Sequence, residues 1–119
     1  MNKEIKDKWL QMLRSGEYVQ GTGQLCKNDY KGSNTYCCIG ILGLACGIPK
    51  ENMIGHGLFS KDNYNEEFLD GIRGIFPDEI LGGADNALDD YNPTVETLAQ
   101  KNDNGSSFLE IADYIEQNL

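Results

Sequence analysis

The chain has 119 residues, with 19 acidic and 10 basic side chains and a formal net charge of −9. That length supports one hydrophobic core, burying about 65% of the unfolded surface, and 39% apolar with 24% charged residues exclude a disordered chain. So acidic a surface repels phosphates, which argues against direct nucleic-acid binding.

The first element is a helix over residues 3–15. Ile5, Trp9, Leu10, Met12 and Leu13 recur at helical spacing on one face. Gly16 follows as a left-handed cap, and Arg14 stands in the last turn, where a cation complements the helix dipole. Residues 18–27 are rich in Gly and Gln and read as a loop followed by a strand near 23–27. Asn28 to Asn34 has turn chemistry, and Thr35-Tyr36-Cys37 returns as the second strand of a hairpin. That register places Cys26 beside Tyr36 or Cys37.

From Cys37 or Cys38 the chain is apolar nearly all round, as in a buried helix. Gly47 ends it and Pro49 blocks its continuation. Gly40 and Gly43 lower helix propensity, which points to close packing against another backbone. Residues 48–91 read as loops, one or two short strands and a helical turn around 65–72. Asn92 and Pro93 open the next helix as N-cap and first helical residue, and it runs to about Lys101. Asn102 to Ser106 reads as a turn. Ser107 and Glu110 then form a capping box for a last helix, with Phe108, Ile111, Ala112, Ile115 and Leu119 on its buried face. The expected fold is α+β: a single domain over residues 1–119, about four helices, and a small antiparallel sheet with its hairpin near 23–37.

The charge is unevenly spread. Residues 1–61 carry a net +3 and residues 62–119 a net −12. The acidic half would attract basic protein surfaces, although a general role in solubility explains such charge as well. The N-terminus alternates charges instead of presenting an apolar signal segment. The longest apolar run, Cys37 to Ile48, is too short to span a bilayer. The expectation is a cytoplasmic protein with no membrane association and reduced thiols.

Several constellations compete with simpler readings. Cys26, Cys37, Cys38 and Cys46 are spaced by 11, 1 and 8 residues. Structural zinc sites instead use paired cysteines a few residues apart, so the cysteines read as core and no metal is expected. His56 lies between glycines, as in an exposed loop, and no triad or metalloprotease spacing accompanies it. Asp85, Asp89, Asp90 and Asp103 do not match a calcium loop. Asn102 and Asp103 suit Asx turns and capping of the helix that follows. Gly21-Thr22-Gly23 lacks the lysine of a phosphate loop. Arg14, Tyr18 and Gln20 flank a helix end and a Gly-rich loop. A guanidinium fork, an aromatic face and an amide suit a phosphate-and-base ligand. They suit equally an internal polar network that holds the loop to Asn102 and Asp103.

Two segments carry a resemblance. One runs from Trp9 through Leu13-Arg14-Ser15-Gly16, Tyr18, Gln20-Gly21, Gly23 and Leu25 to Cys37-Cys38-Ile39-Gly40. The other is Asn102-Asp103-Asn104-Gly105-Ser106-Ser107-Phe108, ending in Ile111-Ala112. Together they resemble a family of small bacteriophage and prophage proteins. The resemblance implies an accessory protein that antagonises a bacterial defence system in the host cytosol by binding, without catalytic residues or cofactor. The leading expectation is sequestration of a small nucleotide-derived immune signal, with Arg14, Tyr18, Gln20, Asn102 and Asp103 as ligand contacts. One alternative is an acidic nucleic-acid mimic that inhibits a host defence protein through Asp85, Asp89 and Asp90. A small hydrolase using a cysteine, His56 or Asp103 is another, and self-association into a homo-oligomer is open.

Overall fold

Local signals account for the two ends of the chain. In a computed structural model, which describes residues 3–28, 32–57, 64, 65, 67 and 93–119, helix α1 spans Lys3–Arg14. It buries Trp9, Leu10 and Leu13, with Ile5 and Met12 packed against the same core. Gly16 follows at φ +77°, where a side chain would be strained. The last helix, α4, spans Phe108–Asn118. Glu110 N–H donates to Ser107 Oγ at 3.2 Å and Ser107 N–H to Glu110 Oε1 at 3.1 Å. This is the capping box read from the sequence, and it satisfies two of the backbone donors left open at a helix start.

Among the described residues the sheet has three strands: β1 (Val19–Gln20), β2 (Cys26–Asn28) and β3 (Asn34–Tyr36), in the order β1-β3-β2. The expected hairpin is present, with Cys26 opposite Tyr36 and Lys27 opposite Thr35. Its ends are joined by Asn28 Nδ2 donating to Asn34 Oδ1 at 2.9 Å. The sheet is mixed, however, and not purely antiparallel: β1 runs parallel to β3, Val19 facing Thr35 and Gln20 facing Tyr36. A strand of two residues in a Gly- and Gln-rich stretch has no alternation to betray it. Its partner supplies the pairing. Beyond Gln20, Gly21 N–H continues the ladder to Tyr36 O at 2.8 Å. A side chain at Gly21 would collide with Thr35, whose Cβ lies 2.7 Å from the position a new Cβ would take.

Helix α2 (Cys38–Ala45) is the buried element, with Cys38 to Gly43 and Ala45 all out of solvent. Cys37 is its N-cap, not a strand residue: its backbone is extended, and its sulfur accepts the Gly40 N–H at 3.4 Å. Helices α1 and α3 (Pro93–Asp103) and strand β3 all pack on α2, while α1 and α3 also contact α4. Trp9 Nε1–H donates to Cys38 O at 3.0 Å inside this core. Gly40 meets the expectation of close backbone approach: a Cβ there would overlap the Leu25 carbonyl oxygen. Leu25 is held from both sides. Its N–H donates to His56 O at 2.8 Å, and its carbonyl accepts Cys37 N–H at 3.3 Å.

After α2, Gly47 at φ +89° turns the chain and a 3-10 turn covers Lys50–Asn52. Met53 is fully buried, and Ile54 bridges in parallel to Cys26 on the outer side of β2. The helical turn expected around 65–72 and the cap Asn92 lie almost wholly outside the described residues, which include only 65 and 67 of that stretch.

Helix α3 runs two residues further than its sequence suggests, through Asn102 and Asp103. It closes at Gly105, φ +101°. Ser106 N–H donates to Lys101 O at 3.0 Å and Gly105 N–H to Asn102 O at 3.4 Å, the pair of bonds that defines a Schellman end. Asn and Asp usually leave helices because their side chains compete for their own backbone. Here those side chains are held by distant partners, so the competition is removed. Nor do they cap the helix that follows, since Ser107 does so. No helix among the described residues is long and apolar enough to cross a membrane.

Phe108 and Ser107 separate core packing from capping. Phe108→Ala should cost ~3–5 kcal/mol through the cavity it leaves, against about 1 kcal/mol for Ser107→Ala through the lost cap. Urea denaturation of both variants checks this, and equal losses would contradict the packing of α4.

Candidate functional site

Asn102 is the one buried polar residue among those described, at 1% exposure. Its side chain is fully used. Oδ1 accepts from Gln20 Nε2 at 2.9 Å and from Cys38 N–H at 3.2 Å. Nδ2 donates to Gly21 O at 2.7 Å and, more loosely, to Asp103 Oδ1 at 3.4 Å. The amide orientation follows from its neighbours, because a backbone N–H only donates and a carbonyl only accepts. A primary amide has two donors and two acceptor lone pairs, and all four are met here.

Each partner of Asn102 belongs to a different element. Gln20 is at the end of β1, and its second amide proton goes to Ser106 O at 2.7 Å. Gly21 begins the loop after β1. Cys38 is the first residue of α2, so its N–H has no acceptor within the helix. Asn102 therefore caps α2 from another helix, while Cys37 caps it locally. Asp103 Oδ1 accepts Gly23 N–H at 3.1 Å and ties down the same loop. The exposed Asp103 carboxylate is close enough to add to the upward pressure on the Cys37 and Cys38 thiols.

Arg14 and Tyr18 do not join this cluster. Arg14 Nη2 donates to Asp113 Oδ1 at 2.9 Å and to Glu116 Oε2 at 2.7 Å, both on α4. Those bonds raise the guanidinium pKa further. All three side chains are substantially exposed, so the pairs fasten α1 to α4 only weakly. Tyr18 packs against Tyr36, ring centroids 5.7 Å apart and nearly perpendicular. Of the five residues grouped by sequence, the structure brings together Gln20, Asn102 and Asp103. It sends Arg14 to the acids of α4 and Tyr18 to the sheet. Asp85, Asp89 and Asp90 lie outside the described residues. Cys38, Gly21 and Ser106 enter the cluster through backbone atoms, which side-chain chemistry in a sequence does not advertise.

The nucleophile candidates are masked. Cys26, Cys37 and Cys38 are buried free thiols and Cys46 is half-buried. Loss of hydration pushes all four upward, Cys38 well above the ordinary thiol value and Cys46 to about 11. Tyr36 also bonds Cys26, which partly offsets the burial of that thiol. His56 is half-buried, not freely exposed. Its ring is tilted against Tyr64 at 4.9 Å, and Tyr64 donates to Asn52 O at 2.6 Å. No group of three His, Cys, Asp or Glu side chains among the described residues could hold a metal ion.

Fold and cluster together define a small α+β protein in which Gln20, Asn102 and Asp103 hold distant segments together. The chain belongs to the family described as domain of unknown function DUF8296, whose model matches residues 1–119. Comparison with curated proteins and with solved structures yields no match.

Two outcomes follow from this geometry. Asn102→Asp keeps the shape but sets a carboxylate oxygen against Gly21 O and buries a charge. The new acid's pKa should rise above the unfolded value of about 3.9. Its penalty is then greatest at neutral pH and shrinks as pH falls and the acid protonates. Melting temperature against pH should show the variant recovering part of its deficit in mild acid, whereas Asn102→Ala should stay destabilised throughout. At about pH 8, below the ordinary thiol pKa of about 8.5, an alkylating reagent should label Cys46 slowly and the other three only after unfolding. Because the thiol pKa values are raised in the fold, their stabilising contribution is complete below the unfolded pKa and is lost as pH rises through the folded values.

Proposed function

We propose that the protein is a phage-type accessory protein that antagonises a bacterial defence system by binding, and that it sequesters a small nucleotide-derived immune signal in the host cytosol. The observation that supports binding over turnover is the burial of the thiols. Nucleophilic cysteines are thiolates in polar, accessible surroundings, whereas Cys26, Cys37 and Cys38 are desolvated and protonated. That also weighs against a cysteine hydrolase.

In this reading the ligand contacts are the accessible members of the set. Arg14 uses only Nη2 for its two acids. Its Nε and Nη1 donors have no partner among the described residues and suit a phosphate. Tyr18 offers an aromatic surface, and the exposed Asp103 carboxylate suits the hydroxyls of a ribose. Gln20 and Asn102, whose amide protons are already engaged, act behind them by fixing the Gly21–Gly23 loop. The second reading, an acidic mimic that occupies a basic channel of a host defence protein, draws on the −12 net charge of residues 62–119.

Calorimetry with a panel of cyclic and ADP-ribose-type nucleotides distinguishes the two. Sequestration predicts binding of at least one member, abolished in Arg14→Ala with the fold intact and unaffected by reversing Asp85, Asp89 and Asp90 together. The mimic predicts no heat with any nucleotide. It predicts instead a host-protein complex that the triple reversal weakens and that added salt weakens further, since exposed charges are screened beyond about 10 Å at 0.1 M.

A further inference from the structure

The α3–α4 turn holds Asn104-Gly105, the one place in the chain where glycine follows asparagine. Both residues are exposed. Gly105 is at φ +101° with open space where a side chain would stand, so no side chain of its own crowds the approach of its amide nitrogen to Asn104. Its N–H makes the longest bond of the turn, 3.4 Å to Asn102 O, while the neighbouring Asn104 and Ser106 N–H groups are held at 2.9 and 3.0 Å.

We propose that Asn104 is a spontaneous modification site whose conversion to aspartate or isoaspartate loosens the Asn102 cluster. The Gly105 amide nitrogen gives its proton to water or hydroxide and attacks Asn104 Cγ. An N–Cγ bond forms, the Cγ–Nδ2 bond breaks, and ammonia leaves with a proton taken from water. One water molecule then opens the five-membered imide at either carbonyl. Aspartate results from one opening, and isoaspartate, with an extra main-chain carbon, from the other. The net change is water in and ammonia out, with nothing oxidised or reduced.

The position of the turn makes this consequential. Gln20 Nε2 bonds Asn102 Oδ1 at 2.9 Å on one side of Asn104-Gly105 and Ser106 O at 2.7 Å on the other. Both Schellman bonds also span the modified peptide. Isoaspartate lengthens the main chain inside that clamp. Either product sets a second carboxylate beside Asp103 at the negative end of α3, where anions are unfavourable. The proposal is independent of what the protein binds.

The test is incubation of the full chain at mildly alkaline pH, native and in urea, followed by peptide mass spectrometry and enzymatic labelling of isoaspartate. Residue 104 should show the mass gain of oxygen replacing NH ahead of every other asparagine. It should convert several-fold more slowly in the native protein than in urea, because the turn bond holds the nitrogen. Converted native protein should melt at a lower temperature, while Asn104→Gln should keep the melting temperature of fresh protein and gain no mass. Native chain that keeps Asn104 intact while the urea sample converts would overturn the site. Converted chain that melts with the fresh protein would overturn its coupling to the Asn102 cluster.

Discussion

The described structure depends on one buried amide. Asn102 joins β1, the loop after it, the start of α2 and the end of α3 through the hydrogen bonds of a single side chain. A buried amide is costly when its bonds are unmade, about 1–3 kcal/mol for each group left unsatisfied. With all four sites met, that cost becomes specificity: another packing of α3 on α2 would leave Cys38 N–H, Gly21 O and Asn102 itself unpartnered together. The dipoles agree with this arrangement. The C-terminal end of α3, carrying Asp103, meets the N-terminal end of α2, so roughly half a charge of each sign is brought together.

Around that contact the core is organised by α2. A helix apolar on every side has to be enclosed, and α1, α3 and β3 enclose it. Two close approaches set its depth. Trp9 reaches the Cys38 carbonyl from α1, and Gly40 lets α2 rest on the Leu25 backbone. The cysteines at the head of α2 follow from the same demand. Cys37 is small enough to be buried, and its sulfur still accepts a helix N–H, doing in an apolar setting what serine does at the exposed start of α4.

What could be read in the sequence was whatever local chemistry determines. Helix α1 shows its apolar spacing, α4 its capping box, α2 its uniform apolarity, and Gly40 its lack of a side chain in a helix. Each feature acts within a few residues of itself. Strand β1 was not legible, because two residues cannot show a period and β3 provides their pairing. Asn102 and Asp103 carry turn propensity, and only partners some eighty residues away keep them helical. The candidate site was legible in part for the same reason. Nearness in sequence suggested that Arg14, Tyr18 and Gln20 act together. Yet Arg14 ends a helix facing α4, Tyr18 packs its ring on Tyr36 of the sheet, and Gln20 turns to Asn102.

This division separates residues that the fold uses from residues that meet solvent. Trp9, Gln20, Gly21, Gly40, Asn102 and Ser107 all occupy positions where the fold itself uses that side chain or its absence. Replacing any of them removes a capped terminus, a close approach or a buried bond, so lost activity in such variants reports on folding first. Arg14, Tyr18 and Asp103 differ in kind: each meets solvent, and their tertiary contacts are two exposed ion pairs, a ring contact and one exposed hydrogen bond. Substitutions at Arg14 and Tyr18 therefore leave the Asn102 cluster and the backbone that it holds in place.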